Sequence, residues 1–202
     1  MSLFLDIGTG AGLASATGVR PYLPPLLAGA LARSDIAIDF DGTDLSFLES
    51  TAFLAGVVAV AVVMFFVERL PPAPRTRGIG GTAANRAQIL SGLIGIVLGA
   101  LLFAGALSDN GHPAWIGLVF GPFCAALAWL AIGGLVERVR ARLEPDQAAL
   151  VTAYADAAAL ILAAIAIFVP PLAFLAIPGF VILLLGGRHR EGEKYAGLRI
   201  LR

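Results

Sequence analysis

Between Leu48 and Val67 the chain runs for the length of a bilayer crossing with one acid near its entrance, Glu49, and the pair Glu68-Arg69 closing it. A hydrocarbon core about 30 Å thick takes roughly 20 mostly apolar helical residues to cross. Stretches of this kind recur through the chain. Within lipid the backbone must satisfy its own hydrogen bonds, which leaves helices or closed barrels. These runs are too long and continuous for barrel strands. The expected fold class is therefore all-α, a polytopic membrane helix bundle.

Composition agrees. Hydrophobic residues make up 58% of the chain and charged residues 14%, against about 25% charged in soluble domains; mean hydropathy is +0.88. A formal net charge of zero excludes a nucleic-acid partner, since neutralising phosphates takes a basic surface. One cysteine, Cys124, permits neither an internal disulfide nor a cysteine metal cage. The start, Met1-Ser2-Leu3-Phe4-Leu5-Asp6, lacks the basic opening of a signal peptide, so the first apolar segment is expected to stay in the mature protein.

Six apolar segments follow from hydropathy: about Phe4 to Ala32, Phe47 to Val67, Ile89 to Leu107, Ala114 to Leu135, Ala148 to Phe168 and Leu172 to Gly186. Cytoplasmic loops accumulate Lys and Arg. Arg69, Arg75, Arg77 and Arg86 follow segment two, Arg138, Arg140 and Arg142 follow segment four, and Arg188, Arg190, Lys194, Arg199 and Arg202 form the tail. Those are all but Arg20 and Arg33 of the 14 basic residues. The other loops hold Arg33 against Asp35, Asp39, Asp41, Asp44, Glu49 and Asp109. Six crossings put the basic groups on one side, with both termini cytoplasmic in the cell (inner or plasma) membrane. The bundle then covers residues 1–187, with a basic tail at 188–202. The repeated endings Val67-Glu68-Arg69 and Val136-Glu137-Arg138 suggest hairpin units 1–70 and 87–143 followed by a hairpin at 147–187, although a snorkelling arginine suits any helix that leaves a membrane.

Segment one departs from the rest. Gly8 to Gly18 is almost all small residues, which let membrane helices approach closely. Pro21, Pro24 and Pro25 follow, and each removes a backbone donor. A break is expected near Gly18 to Pro25, and Arg20 falls on it. A charge at mid-membrane costs about 2.5–3.5 kcal/mol on insertion scales, and such residues face an interior or a cavity and take a partner. Freed backbone at helix breaks is also where transporters bind ligands. Asp156, about 13 Å into segment five at 1.5 Å per residue, is the expected counter-charge. Tyr154, Tyr22 and Thr17 complete the candidate ligand or pathway set. An arginine that only ties helices together is the competing expectation.

Other motifs carry less. Gly8-Thr9-Gly10-Ala11-Gly12 lacks the dinucleotide fingerprint and its βαβ setting. Arg75, Arg77 and Arg86 around Gly78-Ile79-Gly80-Gly81 suit anionic lipid headgroups. His112 and His189 fall in opposite compartments, so no metal site and no cofactor is expected. No nucleophile has a base beside it, so no enzyme activity is expected.

The run Gly12-Leu13-Ala14-Ser15-Ala16-Thr17-Gly18-Val19-Arg20-Pro21-Tyr22-Leu23-Pro24, the ending Glu68-Arg69-Leu70-Pro71 and the tail Lys194-Tyr195-Ala196-Gly197-Leu198-Arg199 resemble the bacterial membrane family called domain of unknown function 4126. Glu68-Arg69 stands where that family more often has Asp-Lys. The resemblance implies an integral membrane protein and brings no activity with it. The residues themselves support a small transporter or channel-like protein in the lipid bilayer, assembling as a homo-oligomer around an Arg20/Asp156 site for a small, anionic ligand. The alternative is a structural or regulatory membrane subunit.

Overall fold

Side-chain size decides which helix takes the middle of this bundle. The computed structural model describes residues 2–69, 83–140, 143 and 145–196, and among these every regular element is helical. Helix α1 (Leu3–Val19) is followed by α2 (Leu23–Ala32), a short 3-10 turn at Ser46–Glu49, α3 (Thr51–Arg69), α4 (Ala83–Ser108), α5 (Ala114–Arg140), α6 (Pro145–Phe168), α7 (Pro170–Ala173) and α8 (Ala176–Ala196). Gln88–Ser108 of α4, Ala114–Val136 of α5 and Leu150–Phe168 of α6 are each long and apolar enough to cross a membrane. Their outer faces carry exposed Leu93, Val97, Phe123, Leu130 and Ile161, an arrangement that suits acyl chains and not water.

Helix α1 is the axis. Every residue from Ala11 to Gly18 is buried, and α4, α5 and α6 surround it. Only small residues permit this. A Cβ on Gly18 would strike the Ala125 backbone of α5, one on Gly95 of α4 would lie 2.7 Å from the Thr17 carbonyl, and one on Gly121 of α5 would lie 2.7 Å from Ala100 Cα. Real Cβ atoms do not approach that closely, so each glycine marks a helix crossing at near backbone contact.

The same contacts fix directions. Gly10 lies against Phe103, Gly99 against Ala14 and Thr17, and Gly95 against Thr17 and Pro21. Helix α1 thus runs antiparallel to α4, from the level of Ser108 down to that of Gly95. The chain then comes back: Gly29 of α2 packs on Leu48, and Gly105 packs on both Leu48 and Phe40. A single cavity is lined by Asp6 and Thr9 from α1, by Ala37 and Ile38 after α2, and by Ala106, Asp109 and Asn110. The start of α1 and the end of α2 therefore share one end of the bundle, the end of the 109–113 turn, which we call the distal end. The opposite end, where α3 stops and α4 begins, is the basic end.

This corrects the reading of segment one as a single crossing. It is two antiparallel helices, of 17 and 10 residues, that descend from the distal end and return to it. Pro21 supplies the local cause. The residue before a proline is pushed out of the helical region, and Arg20 sits at φ −143°, ψ 109°. Pro24 and Pro25 lie in the first turn of α2, where the missing N–H has no helical partner to lose. The chain's start therefore lies opposite the ends of α3 and α5, not beside them as six successive crossings require. The last segment differs too: α7 and α8 divide it, and α8 runs to Ala196, past the expected end at Gly186.

Candidate functional site

Arg20 occupies the tip of the descending and returning pair. Its backbone N–H donates to the Ala16 carbonyl at 3.0 Å, closing the last turn of α1. Its Nε lies 2.6 Å from Asp156 Oδ1 on α6, and Nη2 donates to the Thr152 carbonyl, one turn nearer the basic end, at 3.5 Å. The guanidinium side chain is 17% exposed and the carboxylate 42%. The cation is thus the more buried partner, and the anion is the one that meets the surroundings. Pro21 lies level with Gly95, about 13 residues or roughly 20 Å from the distal end of α4. Asp156 is about six residues, or roughly 9 Å, into the apolar stretch of α6. The pair therefore lies inside the apolar belt, nearer the basic end.

The other candidates fall out differently. Thr17 is fully buried, and its hydroxyl donates to the Ala14 carbonyl at 2.7 Å, folded back on its own helix. Its Oγ1 also fills the space a Cβ on Gly99 would take, so it serves helix packing. Tyr22 stands half-buried beside Arg20 at the tip. Tyr154 is 75% exposed, and two residues along a helix from Asp156 its side chain leaves on about the opposite face. Of the headgroup candidates, Arg75 and Arg77 lie outside the described residues. Arg86 lies in the first turns of α4, and its side chain lies outside the described ones.

Two acidic groupings at the distal end were missed by sequence reasoning. Asp39, Asp41 and Glu49 bring carboxylate oxygens within 4.8 Å of one another. Burial first, then a side-chain hydrogen bond with Asp41 and the Asp41 charge, raises Glu49 above its ordinary value. The second grouping centres on Asp6, which is 2% exposed. Asn110 Nδ2 donates to Asp6 Oδ1 at 3.1 Å, and His112 Nε2 lies 3.3 Å from Oδ2. Asp109, beside the same cavity, is raised by burial above all, and further by the Asp39 and Asp6 charges. The sequence signal for Asp6 is one acid opening a helix of glycines and alanines.

A buried small-residue helix with an extended Arg-Pro at its end is the stretch on which the family likeness rests, and the family model covers it. The chain belongs to the DUF4126 family. The family model, described as a domain of unknown function, matches residues 7–188, from just after Asp6 to the middle of α8. No curated protein and no solved structure matches the chain. Membership thus supports placement in a membrane and leaves the role of Arg20 to be argued from its geometry.

Proposed function

We propose that this protein is a small integral membrane transporter or channel-like protein in which α3, α4, α5, α6 and α8 cross the bilayer and the α1–α2 pair re-enters it from the distal side. Charge supports this orientation. Arg69, Arg138 and Arg140 close α3 and α5, Arg86 opens α4, and Arg188, Arg190 and Lys194 lie in the second half of α8. The distal loops hold Asp35, Asp39, Asp41, Asp44, Glu49 and Asp109. By the positive-inside rule the basic end is cytoplasmic, which places the C-terminus inside and, against the expectation of two cytoplasmic termini, the N-terminus outside.

One observation carries the functional reading. The Arg20–Asp156 pair joins the non-helical tip of a re-entrant helix pair to a crossing helix, within the apolar belt. Irregular backbone at membrane depth is tolerated where it is buried in protein or lines a watery cavity, and discontinuous helices there form ligand sites. Asp156 and the Thr152 carbonyl engage the Arg20 guanidinium, so a small anion competes with the carboxylate for it. The half-exposed Asp156 is the side from which that exchange proceeds.

A structural or regulatory subunit is the second reading, favoured by the near-contact packing of α1 on Gly95, Gly99 and Ala125 and by the location of two cavities at the distal end, neither lined by Arg20. Proteoliposome flux of chloride, nitrate, phosphate and sulfate separates the two. The transport reading expects saturable flux of at least one anion, lost in a folded Arg20→Gln variant. Flux of none, or flux indifferent to Arg20→Gln, supports the structural reading.

A further inference from the structure

At the distal mouth of the re-entrant pair, Asp6 is sealed from solvent while its partner is not: the His112 side chain is 28% exposed and the Asp6 side chain 3%. The two come from elements far apart in sequence, the first turn of α1 and the turn between α4 and α5. We propose that Asp6, Asn110 and His112 form a proton-operated latch that holds the outer end of α1 to the α4–α5 turn, closing as His112 gains a proton and loosening as it loses it. The inference stands on this geometry and does not depend on the transport reading.

The physical argument is a matter of counting donors. Asp6 has two carboxylate oxygens in a site with almost no access to water. Asn110 serves Oδ1, whatever the pH. Oδ2 faces His112 Nε2, and a neutral imidazole carries one N–H for its two nitrogens, whereas imidazolium carries two. Protonation therefore guarantees a donor toward Oδ2 and adds a charge opposite a buried carboxylate, where an ion pair is screened least. The partial exposure of His112 gives the proton a way in.

The surroundings reinforce the sign. Asp6 comes from α1, Asp109 from the end of α4 beside the same cavity, and Asp39 from the segment after α2, where its backbone bonds to the Asp109 carboxylate. The amino-terminal charge also bears on Asp109. Helix α7 (Pro170-Pro171-Leu172-Ala173) and the first turn of α5 bring no charged residue. The neighbourhood of Asp6 is thus acidic. The chain has two histidines, so between about pH 6 and 8 His189, the amino terminus and the raised carboxylates Asp109 and Glu49 are the remaining groups to control for.

The test uses the full chain in lipid nanodiscs, with Cys124→Ala and Thr9→Cys, which places a thiol on the wall of the Asp6 cavity. The rate of modification by a small, charged methanethiosulfonate reagent, corrected for thiolate fraction, is followed from pH 8 to pH 6. The latch predicts a severalfold lower rate at pH 6 than at pH 8, and a flat profile in His112→Gln and in Asp6→Asn, with His189→Gln unchanged from the parent. A flat parent profile, or a slope that persists in His112→Gln, overturns it. Thermal denaturation of the chain with Thr9 intact gives a second reading: the parent gains stability from pH 8 to pH 6 and His112→Gln does not. Equal gains in both would equally overturn the latch.

Discussion

Removing one partner of the Arg20–Asp156 pair should not cost the same from both sides, because the two are not equally buried. Asp156→Ala takes from the guanidinium, 17% exposed, the carboxylate 2.6 Å from its Nε. Breaking a fully buried pair in this way costs about 3–5 kcal/mol. With the carboxylate 42% exposed the pair is less enclosed than a fully buried one, so about 1–3 kcal/mol is the appropriate range here. Arg20→Ala leaves instead the less enclosed partner, the carboxylate, and should cost roughly half as much or less. The double variant removes the stranded charge and should be more stable than Asp156→Ala alone, a coupling of about 0.5–3 kcal/mol. Reversible unfolding of the three variants in one detergent or bicelle system measures this cycle. Additive losses, or a larger loss for Arg20→Ala than for Asp156→Ala, would refute the reasoning that the buried cation is the partner in need of compensation.

Further outcomes follow from the packing and from the distal acids. Gly18→Ala forces a Cβ into the Ala125 backbone and should destabilise by about 1–3 kcal/mol, while Gly56→Ala on α3, with open space around it, should be neutral or stabilising by up to about 1 kcal/mol. The paired melting temperatures in one detergent check both signs. Asp109 is raised above its ordinary value of 3.8, so its contribution is fully present below that value and is lost as pH climbs through the raised one. Asp109→Asn should therefore gain stability relative to the parent as pH rises from about 4, as a denaturation series over pH would show. Glu49 shifts in the same direction, and Glu49→Gln should behave alike from its ordinary 4.5 upward.

The helical character of the chain, its long apolar spans and the break at Arg20-Pro21 are local matters of hydropathy and proline geometry, and they can be read from residues near one another. The choice of Asp156 as partner to Arg20 needed only depth along two helices. What the sequence could not show is that α2 turns back. A proline break looks the same whether the chain goes on across the membrane or reverses, and the decision rests on distant contacts: Gly105 against Phe40, Gly29 against Leu48. The charge argument that favoured six crossings took segment one for a crossing. Five crossings with the start outside place the same arginines on the same side. That assumption also concealed the Asp6 grouping, since it put Asp6 and His112 on opposite faces. Tyr154, expected to line the site, is 75% exposed; only its direction, about 200° from Asp156 on a helix, could be read from the sequence.

Cysteine labelling in intact cells decides the arrangement most directly. With Cys124→Ala as background, Ser2→Cys, Ser34→Cys and Arg77→Cys are each exposed to a membrane-impermeant maleimide. A re-entrant pair predicts that positions 2 and 34, at the two ends of α1–α2, both react from outside while position 77 reacts only after the membrane is opened. Reaction at 34 with protection at 2 would mean that the first segment crosses after all, and that Arg20 does not sit at the tip of a returning pair.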